Sequence, residues 1–160
     1  MDRQALLTDF NAKVDLFAKF QGYIEKAKSQ QGRFSSRVVE KVIADNEAKR
    51  EEVVGEIMLV SGDMDQVILE LSADKDAVLK TRASSAFELE ELELRLAIGD
   101  LEPEEFETLA ADLKEAVAEV DGKVATIDAE LGEFESSLAR WMEFALEHGL
   151  LAEPEPEPEP

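Results

Sequence analysis

The side chains that could catalyse a reaction or bind a metal are few in type. The chain has no cysteine and a single histidine, His148, which excludes disulfides, thiolate metal sites and two-histidine zinc sites. Carboxylates are abundant, but their spacing predicts no paired acid and base in a shared pocket. The sequence also lacks a glycine-rich phosphate loop and a nucleophile motif. We therefore expect no enzymatic activity, no cofactor and no metal.

Charge limits the function further. The chain has 38 Asp and Glu residues against 17 Lys and Arg residues, which gives a formal net charge of −21. Nucleic-acid binding depends on many cations that neutralise phosphates, so we expect no nucleic-acid partner. No apolar run approaches the ~20 residues that span a bilayer, and no signal-peptide pattern is present. These features predict an acidic, cytoplasmic protein without a transmembrane segment.

Three long helices must position any functional residue. The composition is rich in Ala, Glu, Leu, Lys and Val, and outside the last seven residues the only proline is Pro103. Pro103 suits the first position of a helix, and Gly32, Gly99 and Gly149 are placed to end helices. From the apolar spacing, the predicted helices span residues 3–30, 36–98 and 103–148.

The second and third predicted helices share one antiparallel register. In such a hairpin, the numbers of two facing core residues have a constant sum. The residue numbers of Leu71 and Leu131 add up to 202, as do those of Leu89 and Leu113. Pairs that lie between these, such as Leu92 with Leu109, add up to 201, and the pattern continues over about seven heptads. The predicted pairs are Leu96 with Phe106, Leu92 with Leu109, Leu89 with Leu113, Ser85 with Val117, Arg82 with Val120, Val78 with Val124, Leu71 with Leu131, Met64 with Leu138, Val60 with Trp141 and Ile57 with Ala145.

The first helix is predicted to pair with the start of the second, with Ile24 facing Val42. Residues 53–64 would then be contacted from two sides, which agrees with their broadly apolar sequence. The predicted fold is all-α: an elongated antiparallel coiled-coil rod of three helices, with a central three-helix zone near residues 53–64. Because glycine weakens a helix, a compact four-helix bundle broken at Gly62 is the alternative.

Residues 1–149 are predicted to form a single helical coiled-coil domain. Residues 150–160 hold an alternating Glu-Pro repeat, which can neither continue a helix nor bury apolar surface. We expect a disordered tail or linker there. Since such repeats often separate domains, the chain also fits the N-terminal piece of a longer protein.

A second apolar row lies near the predicted Gly99 turn. On a helical wheel Phe87, Leu94 and Ile98 lie opposite the core residues, and glutamates surround them. In a two-helix arm this row would face water, which predicts a docking or dimerisation surface. The alternative is an arm that twists and folds the row into one broad core. The candidate partner-binding residues are Phe87, Leu94, Ile98 and Leu101.

The two predicted arms differ in the sign of their charge. Residues 13–50 carry nine cations and five anions, whereas residues 65–133 carry six cations and twenty anions. This asymmetry predicts that the basic arm meets an acidic partner, such as a second copy of the chain. The alternative is a solvated coiled coil whose charges contact only water. The candidate basic residues are Lys19, Lys26, Arg33 and Arg37.

The combined features predict a non-enzymatic coiled-coil scaffold or adaptor that self-associates and binds protein partners. A long antiparallel hairpin also resembles, in shape, the stalk proteins of export ATPases and the prefoldin subunits. That resemblance implies a helical chaperone or a secretion-apparatus component, and it transfers no functional residues because no motif residue matches. A third hypothesis is peripheral membrane binding through the first helix, where Phe10, Phe17 and Phe20 alternate with lysines. Packing of these aromatic residues on the second helix is the alternative.

Overall fold

The structure is a computed structural model, and it describes residues 2–150 of the chain. Nearly all of these residues lie in three helices, α1 (Arg3–Ser29), α2 (Ser36–Ala97) and α3 (Pro103–Glu147), and they include no β-strand. Each helix begins where it was predicted to begin and ends one residue earlier. The predicted all-α fold with three long helices is confirmed. The predicted Glu-Pro tail lies outside the described residues, apart from its first residue, Leu150.

Helix α2 runs without a break through Gly62. The Ser61 hydroxyl donates a hydrogen bond to the Met58 carbonyl oxygen at 2.8 Å, one turn earlier in the helix. A Cβ atom placed on Gly62 would meet nothing within 4 Å, so close packing does not require the glycine. The break on which the four-helix alternative depended is therefore absent from α2.

Glycines in the left-handed region follow all three helices. Gly32, Gly99 and Gly149 have φ angles of 90°, 80° and 69°. After α2, the amides of Gly99 and Asp100 donate hydrogen bonds of 3.2 and 2.8 Å to carbonyl oxygens of the last turn. These bonds satisfy carbonyls that the end of a helix leaves unpaired, and glycine adopts the required φ without steric cost.

The described chain divides into two compact units, and α2 contributes residues to both. Unit 1 combines the residues up to Val67 with those from Phe134 onward, and unit 2 comprises Ile68–Glu133. Unit 2 thus covers nearly the stretch predicted as an arm over residues 65–133. The single domain over residues 1–149 stays a prediction.

All three helices contribute to the core of unit 1. Phe17 of α1 packs edge-on against Trp141 of α3, with ring centroids 5.2 Å apart. Arg140 of α3 donates a hydrogen bond of 2.6 Å to the Asp15 carboxylate of α1. The predicted zone near residues 53–64 adds three buried side chains from α2. The largest fully buried side chains of the unit are Phe10, Val14, Phe17, Ile24, Ile57, Met64 and Phe134.

Unit 2 is a hairpin of α2 and α3 in an antiparallel register. The Lys75 ammonium lies 2.7 Å from the Asp128 carboxylate, and the Arg82 guanidinium lies 2.8 Å from the Asp121 carboxylate. The residue numbers of both ion pairs add up to 203, one more than those of most predicted core pairs. This constant offset is expected of charged residues that flank an antiparallel core.

Some residues predicted as core of this hairpin are exposed. Arg82 pairs with Asp121 at the surface, and Leu109 is also exposed, whereas its neighbour Ala110 is buried. Two facing helices cover each other from one side only, so most of the predicted core positions of unit 2 are half-buried.

Candidate functional site

The predicted apolar row near the end of α2 is exposed to solvent. Phe87, Leu94 and Ile98 have 71%, 61% and 69% of their surface exposed. The alternative, in which the row folds into a broad core, is wrong for these three side chains. Leu101, in the loop after α2, is half-buried and adds less to this surface. Phe87, Leu94 and Ile98 together are named the α2 row below.

An ion-pair network fixes the turn beside the α2 row. Arg95 donates hydrogen bonds to the Glu91 carboxylate at 3.1 Å and to the Asp100 carboxylate at 2.5 Å. Both hydrogen bonds raise the pKa of the Arg95 guanidinium, and the bond to Glu91 has the larger effect. Arg95 is the only Lys or Arg between residues 87 and 107, and its charge is paired within its own turn.

The rim of the α2 row is strongly acidic. Residues 87–107 contain nine Asp and Glu side chains, and all nine are exposed. An exposed apolar row with an anionic rim suits a partner surface that is apolar and basic, because the charges then attract and the apolar side chains leave water. Four of these carboxylates lie on the same stretch of α2, at Glu88, Glu90, Glu91 and Glu93.

The predicted basic residues lie in unit 1 and are exposed. The Lys19 ammonium lies 5.9 Å from the centre of the Tyr23 ring, and the Arg33 guanidinium lies 5.9 Å from that of the Phe34 ring. Both distances fit cation–π contacts. Three of the candidates, Lys26, Arg33 and Arg37, cluster at the α1–α2 turn, whereas Lys19 lies about two turns earlier than Lys26 on α1.

An apolar groove at the α1–α2 turn was not predicted. It has a volume of about 250 Å³ and lies between the end of α1 and the start of α2. Val42, predicted to face Ile24, is 44% exposed, and Val39 is buried instead. The α1 side of the groove presents the short Ala27 and the polar Gln30, which leave Val42 uncovered. The residues that line this turn groove are Ala27, Gln30, Phe34, Val38, Val39 and Val42.

The aromatic residues of α1 mostly face the core of unit 1. Phe10 and Phe17 are fully buried, Phe20 is half-buried, and Tyr23 has 43% of its surface exposed. The apolar face that membrane binding through the first helix would require is therefore covered. No helix within residues 2–150 is long and apolar enough to cross a membrane.

Polar contacts inside unit 1 link its helices. Arg50 of α2 donates a hydrogen bond of 2.6 Å to the Gln21 side-chain oxygen of α1. His148 follows α3 directly, and its ring centroid lies 5.7 Å from that of Phe17. The imidazole ring therefore packs against α1. We assign these contacts to the packing of the helices.

The described part of the chain thus contains two exposed apolar surfaces with rims of opposite charge, the acidic α2 row and the basic turn groove. The first was predicted from the sequence, and the second was missed. Comparisons of the chain with protein-family models, with curated proteins and with solved structures gave no match.

Proposed function

We propose that this chain is a non-enzymatic, cytoplasmic coiled-coil scaffold or adaptor that self-associates and binds protein partners. The observation that carries the proposal is the α2 row, in which three large apolar side chains on one helix each expose more than half of their surface. Exposed apolar side chains scattered singly are common on soluble proteins, whereas several aligned on one exposed helix face are typical of a binding surface.

The size of the α2 row indicates what kind of binding it supports. Full burial of one large apolar side chain contributes roughly 1.5–3 kcal/mol. Association costs an estimated 4–15 kcal/mol in lost translational and rotational freedom. Three such side chains contribute roughly 4.5–9 kcal/mol at full burial, which overlaps the estimated cost of association without clearly exceeding it. Contacts of the charged rim therefore decide whether the chains associate. We expect reversible association, as a scaffold that exchanges partners requires.

The test replaces one side chain of the row by a charged one. Leu94→Glu places a carboxylate in the row, and Leu69→Glu is the matched control, since Leu69 lies on the same helix in unit 2 with a similar exposure of 65%. Light scattering of the full chain at low salt measures self-association. We expect Leu94→Glu to weaken it about tenfold or more, which is ~1.4 kcal/mol, and Leu69→Glu to leave it unchanged. Equal behaviour of the two variants would contradict the proposal.

The α2 row also fits a second candidate function. An exposed apolar row on a helical hairpin suits a chaperone that captures the apolar segments of unfolded clients. Such a protein would suppress the aggregation of an unfolded client in proportion to its concentration, and Leu94→Glu would weaken the suppression. An adaptor for folded partners would leave client aggregation unaffected.

A further inference from the structure

The turn groove is an apolar surface without an assigned role. Two of its lining residues, Phe34 and Val38, have 55% and 53% of their surface exposed. Val42 lies one helical turn after Val38 on α2 and is also exposed. Neighbouring Val39 is buried, which anchors the start of α2 against the rest of unit 1. The groove is therefore apolar and open to solvent.

The surroundings of the turn groove are basic. Between residues 26 and 41 the chain has five Lys and Arg residues and a single carboxylate, Glu40. All six of these charged side chains are exposed. Arg33 reaches over the Phe34 ring, at 5.9 Å, and so places a cation directly at the edge of the groove. The five cations are Lys26, Lys28, Arg33, Arg37 and Lys41.

The α2 row has the complementary character. It also exposes a strip of large apolar side chains, but its surroundings over residues 87–107 contain nine carboxylates and one cation. That cation, Arg95, is already paired with Glu91 and Asp100. Two α2 rows facing each other would oppose carboxylates to carboxylates, which disfavours association. A row facing a turn groove would oppose carboxylates to Lys and Arg.

We propose that the turn groove of one copy of this chain binds the α2 row of a second copy. Apolar side chains of Phe87, Leu94 and Ile98 then lie against Phe34 and Val38, and the rims attract each other. Self-association through two different surfaces is heterologous. The inference rests on the proposed function, since it requires self-association, and it names the surface that the α2 row binds.

Two variants that each disable one surface test this pairing. Val38→Asp places a carboxylate in the groove, and Leu94→Glu places one in the row. Val38 lies in the first turn of α2, where an acidic residue is favoured by the helix dipole, so Val38→Asp is expected to fold normally. Circular dichroism of each variant checks its helix content. Leu69→Glu again serves as the exposed control outside both surfaces.

Each variant alone is expected to associate at least about tenfold more weakly than the wild type. Mixed in equal amounts, the two variants still hold one intact pair, the groove of the Leu94→Glu chain and the row of the Val38→Asp chain. Light scattering of the mixture is therefore expected to show stronger association than either variant shows alone. Leu69→Glu is expected to behave as the wild type.

Three other outcomes would overturn the inference, and they are distinct. If Val38→Asp associates like the wild type while Leu94→Glu does not, the row binds another surface, and the proposed function stands. If both variants are impaired but their mixture does not recover, the two surfaces do not bind each other. If the wild type stays a single chain at every concentration, self-association itself is wrong.

Discussion

At the residue scale, the exposed fraction of a side chain separates residues that pack the helices together from residues that are available to bind a partner. On α2, Ile57 is fully buried in unit 1, whereas Leu59, two residues later, has 79% of its surface exposed. The two side chains have the same size and lie on one helix. Their contributions to stability therefore differ because of their surroundings.

Replacing each of these two residues by alanine measures that difference. Ile57→Ala leaves a cavity in a core shared by three helices, and we expect the free energy of unfolding to fall by about 2–5 kcal/mol. Leu59→Ala removes an exposed side chain, and we expect a change within about 0.5 kcal/mol. Urea unfolding followed by circular dichroism gives both values. Equal losses would show that the assignment of the core around Ile57 is wrong.

The α2 row could be predicted from the spacing of residues along one helix, whereas the turn groove depends on contacts between two helices. Phe87 and Leu94 are seven residues apart, so a helix places them on one face, opposite its core residues. Exposure of Val42, by contrast, depends on which side chains of α1 face it, and the apolar spacing of α2 alone carries no information on them. An apolar residue inside a predicted turn, Phe34, was the one signal of the groove in the sequence.

At the scale of the elements, the helix boundaries follow from a few residues. Pro103 opens α3, and Gly32 and Gly99 lie at the turns that follow α1 and α2. Continuity of α2 through Gly62 could not be settled from the sequence. One glycine lowers the stability of a helix by about 1 kcal/mol. Tertiary packing supplies most of the stability of a helix in a protein, so the packing of the neighbouring turns outweighs this cost. The sequence alone does not give the free energy of that packing.

Replacing Gly62 and Gly99 by alanine is expected to change the free energy of unfolding in opposite directions. Gly99 has φ at 80°, where alanine is strained, so Gly99→Ala is expected to lower the free energy of unfolding by roughly 1–2 kcal/mol. Gly62 lies in the helix interior with open space around it, so Gly62→Ala is expected to raise that free energy by roughly 0.5–1 kcal/mol. Thermal unfolding of both variants measures the signs. A loss of stability for Gly62→Ala would show that α2 needs the glycine.

At the scale of the whole molecule, the net charge of −21 is unevenly distributed. Residues 1–50 carry ten cations and seven anions, a net charge of +3, so residues 51–160 carry a net charge of −24. The composition excluded classes of chemistry, and the structure adds that each charged turn also exposes apolar side chains. This combination is the basis of the proposed self-association, in which opposite charges orient apolar surfaces toward each other.

The most direct test of self-association is the molar mass of the full chain, measured by sedimentation equilibrium over a range of concentrations at low and high salt. We predict a mass that rises above that of one chain with concentration at ~0.05 M salt. The rise should weaken at ~0.5 M, because the screening length falls from about 10 Å at 0.1 M to about 3 Å at 1 M.

Purely apolar association would persist or strengthen at high salt, and it would contradict the role given to the charged rims. The mass of a single chain at every concentration up to about 1 mM, where an association of ~4 kcal/mol is already detectable, would contradict self-association itself.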